Sequence, residues 1–131
     1  MQIEKCKMQN ENMGSEREQL SERFLGFGAS IIKLVVGLNR TSIGQHIGMQ
    51  LGRSATSAGA DYEEACGAES RADFIHKMQI VLKELRESIY WLRLIKKADL
   101  ISSSNLEKQI QEANELANII AKSIVTAKSR K

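Results

Sequence analysis

Phe74, Met78, Val81, Leu85, Ser88, Leu92 and Ile95 follow one another at intervals of 4-3-4-3-4-3. That spacing is a heptad seam, and it demands one long helix with a continuous buried edge. A second apolar row, Ile75, Leu82 and Ile89, runs beside it at intervals of seven. Lys83, Arg86, Arg93, Lys96 and Lys97 lie among and beyond the two rows. Two rows are more apolar surface than a single neighbouring helix covers. The pattern therefore predicts a helical bundle that assembles further and turns a basic strip toward something anionic.

The rest of the chain agrees with helices. There is no proline among the 131 residues to interrupt one. Aromatic side chains make up 5%, and β-branched alternation is scarce, which argues against sandwiches and barrels. The length suffices for one domain with a core.

Four start signals stand along the chain: Ser15-x-x-Glu18, Ser42-x-x-Gln45, Ser70-x-x-Asp73 and Ser104-x-x-Glu107. Each has the form in which a hydroxyl and a carboxyl or amide satisfy the free amides of a first turn, Asp73 being the shortest partner. They predict helices at about 15–39, 42–66, 71–98 and 104–128. Asn39–Thr41, Gly67–Glu69 and Asp99–Ser103 are the links, with Gly67 suited to a left-handed helix end. Links this short predict an all-α, antiparallel, up-down-up-down four-helix bundle. Residues 1–14 are then a flexible amino-terminal segment, 15–128 the bundle and 129–131 a basic tail.

The first helix is expected to bury Leu20, Phe24, Phe27, Ile31, Leu38 and either Leu34 or Val35. The last should bury Leu106, Ile110, Ala113, Ala117, Ile120 and Ile124, and Tyr62 falls on the core side of the second with Ala58 and Ala65. Gly44, Gly48 and Gly52 recur every four residues. Each glycine costs a helix about 1 kcal/mol relative to alanine, so three on one face imply another helix backbone close by. Gln45, His46, Gln50 and Arg53 exclude a lipid setting for that face.

The net charge is +3, and it is unevenly placed. Arg71–Ala98 carries seven bases against three acids, whereas Thr41–Cys66 carries Arg53 against Asp61, Glu63 and Glu64. No apolar run approaches the ~18 residues of a membrane span. Residues 1–14 lack the apolar core of a signal peptide, and Cys6 and Cys66 make no disulfide framework. A cytoplasmic protein without a membrane partner is expected.

Few constellations carry chemistry. Arg71 and His76 have the Arg-x4-His spacing that some helical ribonucleases use, His as general acid/base and Arg against phosphate charge. The pattern is two residues long and weak. Asp73 and His76 stand one turn apart, as metal ligands can, but with only two histidines in the chain the carboxylate-bridged pattern cannot be completed, so no metal is expected. Asp61, Glu63 and Glu64 have no nucleophile or base beside them and read as a structural cluster. No glycine-rich phosphate loop, nucleophile elbow or CxxC is present. The expectation is a protein with no catalytic residue and no cofactor. Lys83, Arg86, Tyr90, Arg93, Lys96 and Lys97 are the candidate nucleic-acid contacts: cations hold phosphates and an aromatic ring among them can stack a base. The alternatives are that Tyr90 caps the bundle edge and Trp91 fills a subunit interface, and that the chain is a scaffold binding protein alone.

Ser57-Ala-Gly-Ala-Asp-Tyr-Glu-Glu-Ala-Cys-Gly-Ala-Glu-Ser-Arg-Ala-Asp-Phe74 resembles, without a gap, the S-V-P-A-N-I-A-E-G-x-G-x-x-S-x-x-E-F signature of the proteins named for 23S ribosomal RNA intervening sequences. Ser57, Ala60, Glu64, Gly67, Ser70 and Phe74 match, Asp61 takes the Asn place and Asp73 the Glu place. Leu51, Arg53, Ser54 and Ala55 upstream and Leu85 and Glu87 downstream also fit, and the likeness spans roughly residues 20–127. Gly59 stands where the signature has Pro and Ala65 where it has Gly. The resemblance implies an antiparallel four-helix bundle in a ring-like homopentamer. It also implies kinship with the accessory variability determinant of diversity-generating retroelements, whose partners are a reverse transcriptase and RNA. It supplies no catalytic residue.

Overall fold

A computed structural model of the chain describes residues 15–102 and 105–130, apart from the side chain of Ser15. These residues form four helices and no strand: α1 Ser15–Val36, α2 Ser42–Cys66, α3 Arg71–Lys97 and α4 Asn105–Ser129. α1 stops three residues short of expectation. The Gly37 and Leu38 amides fall back on the Leu34 and Val35 carbonyls, 3.0 Å each, and this tighter turn closes the helix while keeping Leu38 buried.

Thr41, one residue before the expected Ser42, caps α2: its backbone is extended and its hydroxyl accepts from the Gly44 amide at 3.0 Å. Gln45 reaches past the cap to donate to the Asn39 carbonyl at 3.1 Å. Ser70 caps α3 as anticipated, accepting from the Asp73 amide at 3.1 Å. The signals at Ser15 and Ser104 fall on groups outside the described residues, as do the flexible segment 1–14 and the last residue of the tail. The left-handed helix end occurs after α3, not at Gly67. Gly67 has φ −95°, whereas Asp99 has φ 51°. The Leu100 amide returns to the Ile95 carbonyl and the Asp99 amide to the Lys96 carbonyl, both 3.2 Å, a Schellman motif that carries the chain toward α4.

Every residue of the α3 seam is buried. α1 contributes Phe24, Phe27, Ile31 and Leu34, and the turn after it Leu38, with Leu20 and Val35 half-buried beside them. In α4 the core includes Gln109 and Leu116, which the spacing does not single out, while Ile110 is half-buried. Ile75, Leu82 and Ile89 are half-buried against the same core. The apolar surplus of α3 is thus largely absorbed within the chain. Large apolar side chains stand exposed elsewhere: Leu25, Ile32 and Val36 on α1, Ile43 and Met49 on α2, Val125 on α4.

The register follows from a few pairs. Arg17 reaches Glu63 at 3.1 Å, and Phe24 stacks on Tyr62 with ring centroids 5.0 Å apart. The buried hydroxyls of Ser54 and Ser88 share a hydrogen bond of 2.8 Å between α2 and α3. Lys96 pairs with Glu107 between α3 and α4. α1 and α4 touch most sparingly, through Arg23 with Glu112 and Glu115 and through the Gln109 amide on the Ser30 carbonyl at 3.0 Å. Of the expected glycine row, Gly44 and Gly48 face the end of α1, but Gly52 looks into open space, and Gly59 instead lies against the Phe24 Cβ.

Candidate nucleic-acid interface

Lys83, Arg86, Tyr90, Arg93 and Lys97 are all on the outer side of α3 and recur at 3-4-3-4, so they line a single edge of the helix. Fourteen rises of 1.5 Å make that edge about 21 Å long. Lys96 is exposed as well but is occupied by Glu107.

What gives the edge its charge is the placement of the α3 carboxylates. Asp73 accepts from Lys77 at 2.8 Å. Glu84 and Glu87 face α2, where Arg53 pairs with them at 3.5 and 2.5 Å, and Glu87 also accepts from the Trp91 indole at 3.1 Å. Lys83, Arg86, Arg93 and Lys97 have no carboxylate within ion-pair distance among the described residues. Glu84 and Glu87 thus face the neighbouring helix, while the four cations of the edge face outward. Tyr90 is 59% exposed, and its ring meets Trp91 edge to face at 5.1 Å. Trp91 in turn meets His46 of α2 edge-on at 6.3 Å. The tyrosine is therefore braced on one side and open on the other.

Burial pushes the Glu84 carboxyl up, its Oε2 having no hydrogen bond. Glu87 is held below the usual carboxylate range by the Trp91 indole and the Arg53 guanidinium. A carboxylate lowered in the folded state adds stability above its unfolded pKa and loses it as pH falls through the folded one. Because Trp91 is the only tryptophan, an acid titration followed by its fluorescence is expected to show a step below pH ~4.3, the ordinary Glu value. Glu87→Gln should abolish that step; a step that persists in the variant would show that another group reports there.

α4 adds a part that no spacing within α3 reveals. Gln79, Leu82, Lys83 and Arg86 face Ala121, Ile124, Val125 and Lys128 across a groove of about 460 Å³. In the sequence Lys128 is only one base near the end of the chain; helix pairing carries it to the α3 edge. A larger groove of about 910 Å³, between α1 and α4, contains none of the expected contacts. Arg71 is engaged with the Arg130 carbonyl, while His76 stands exposed on the outer side of α3. No group of three His, Cys, Asp or Glu side chains among the described residues could hold a metal ion. No helix among them is long and apolar enough to cross a membrane.

The sequence model for the 23S rRNA-intervening sequence proteins matches residues 17–122, which takes in all four helices but the first two residues of α1 and the end of α4. The chain belongs to that family. A solved structure, described as a protein with unknown function from the S23 ribosomal protein family of Bacteroides thetaiotaomicron VPI-5482, is 33% identical to this chain. It superposes with a TM-score of 0.75, covering 80% of this chain and 97% of that one. Comparison with curated proteins gives no match. The whole α3 edge lies inside the span that defines family membership, whereas Val125 and Lys128 lie beyond it.

Proposed function

We propose that this chain is a non-enzymatic, cytoplasmic module of four helices running up, down, up and down, which assembles into a ring-like homopentamer. Through the outer edge of α3 it binds RNA or DNA, alone or together with an enzyme that works on nucleic acid, such as a reverse transcriptase. One observation carries the reading. Arg53 and Lys77 take up the α3 carboxylates, while Lys83, Arg86, Arg93 and Lys97 form no ion pair among the described residues and flank an exposed Tyr90. Cations in a row neutralise phosphates, and an open ring stacks a base. The up-and-down course is supported by the register, in which Arg17 and Phe24 near the start of α1 meet Glu63 and Tyr62 near the end of α2. Exposed Leu25, Ile32 and Val36 on α1 offer the surface for assembly, as patches of this kind mark interfaces.

Replacing Arg86 and Arg93 together by Glu is expected to abolish RNA binding in a gel-shift assay and to leave the particle mass by light scattering unchanged. Unaltered affinity would overturn the reading of the edge, and a monomeric mass for the wild type would overturn the assembly. The exposed α1 row also favours a second reading, a scaffold that binds protein only. Salt separates the two: phosphate binding weakens with a log–log slope near −0.9 per duplex phosphate contacted, whereas an apolar interface responds little.

A further inference from the structure

We infer that the groove between α3 and α4 selects single-stranded over double-stranded nucleic acid, with the base of an unpaired nucleotide on its apolar floor and the flanking phosphates on its rim; this rests on the nucleic-acid reading above. The floor is Leu82, Ala121 and the buried Ile124, with Val125 at its open edge. Val125 is 68% exposed, and nothing among the described residues covers it. The rim is Lys83, Arg86 and Lys128, none with a carboxylate at ion-pair distance among the described residues, and Gln79 adds an amide that can meet a base edge.

Size and chemistry choose the occupant. A groove of about 460 Å³ is in the range that takes a small organic molecule and too small to seat a helix, which is ~10–12 Å across with its side chains. A duplex keeps its base faces stacked inside and presents phosphates to the protein, so it leaves an apolar floor unused. A single strand offers flat base faces and phosphates together, the combination that floor and rim complement. The floor is aliphatic, and contact with a base face there depends on area more than on base identity, so tolerance of sequence is expected. Tyr90 stands one turn beyond Arg86 on the same edge, about 6 Å along the axis, and offers the strand a second platform.

The test is fluorescence anisotropy with a labelled oligo-uridylate and, separately, an RNA duplex of the same length, each titrated over a salt series. The single strand is expected to bind at least tenfold more tightly. Val125→Ser, at an exposed helical position that folding does not need, should shrink that preference several-fold. Lys128→Gln should reduce the single-strand salt slope by about 0.7, the share of one phosphate. Equal or tighter binding of the duplex, or a preference untouched by Val125→Ser, would overturn the inference while leaving the α3 edge as a nucleic-acid surface. Displacement of the oligonucleotide by poly-glutamate at equal charge would also overturn it, because the groove would then read charge alone. Failure to bind either RNA would remove both this inference and the reading on which it rests.

Discussion

Phe24→Ala is expected to lower the unfolding free energy by about 3–5 kcal/mol. Phe24 is 2% exposed and lies in the α1–α2 interface, its ring stacked on Tyr62 at 5.0 Å and its Cβ against Gly59. Truncation removes the ring from its stacking partner and from the core at once. The facing glycine has no side chain with which to close the gap, so most of the cavity remains. Against a typical total of 5–15 kcal/mol, that loss leaves the bundle marginal. Urea unfolding followed by circular dichroism measures it: the midpoint should fall with the slope unchanged. A loss below about 1 kcal/mol would mean that α1 does not dock as described.

Gly44→Ala is the second large effect. A Cβ at this position would overlap the Leu38 carbonyl oxygen and stand 2.9 Å from the Thr41 hydroxyl. The first is backbone and cannot step aside; the second is the cap that receives the Gly44 amide. Overpacking of about 1–3 kcal/mol and loss of a cap of about 0.5–2 kcal/mol act together. The better helix propensity of alanine, about 1 kcal/mol, offsets only part of this. Gly52→Ala provides the opposite sign. A Cβ there meets nothing within 4 Å, so the propensity gain stands alone and the protein should become more stable by about 0.5–1 kcal/mol. If Gly44→Ala stabilised the protein as Gly52→Ala is expected to do, the close approach at Gly44 would be in error.

Much of the bundle can be read from local pattern. Apolar periodicity reports a helix and its buried face without reference to any partner, and for Phe74–Ile95 that face is buried throughout. Short-range chemistry is less legible. A threonine one residue earlier does the work expected of Ser42, since either hydroxyl can cap and only backbone conformation decides which. The left-handed turn sits at Asp99 because aspartate tolerates that region, although glycine is the usual signal for it. The glycine row reads as one face, yet Gly52 is not approached: equal spacing places residues on a common edge but cannot say how far along it the neighbouring helix runs.

For the candidate site the same division applies. The basic row of α3 is visible because heptad spacing puts Lys83, Arg86, Tyr90, Arg93 and Lys97 on one edge. That Glu84 and Glu87 do not cancel it requires Arg53 from another helix, more than a whole helix length away along the chain. Lys128 is out of reach of any local pattern for the same reason.

Four helices, the buried face of α3 and the sign of charge on its outer edge follow from local pattern, because each is a property of neighbours within a few turns. Tertiary structure alone decided which acids are neutralised, which apolar residues remain uncovered and where a groove opens between α3 and α4. Those depend on contacts between residues far apart in the chain, and the pattern along a helix names a face without naming what lies against it.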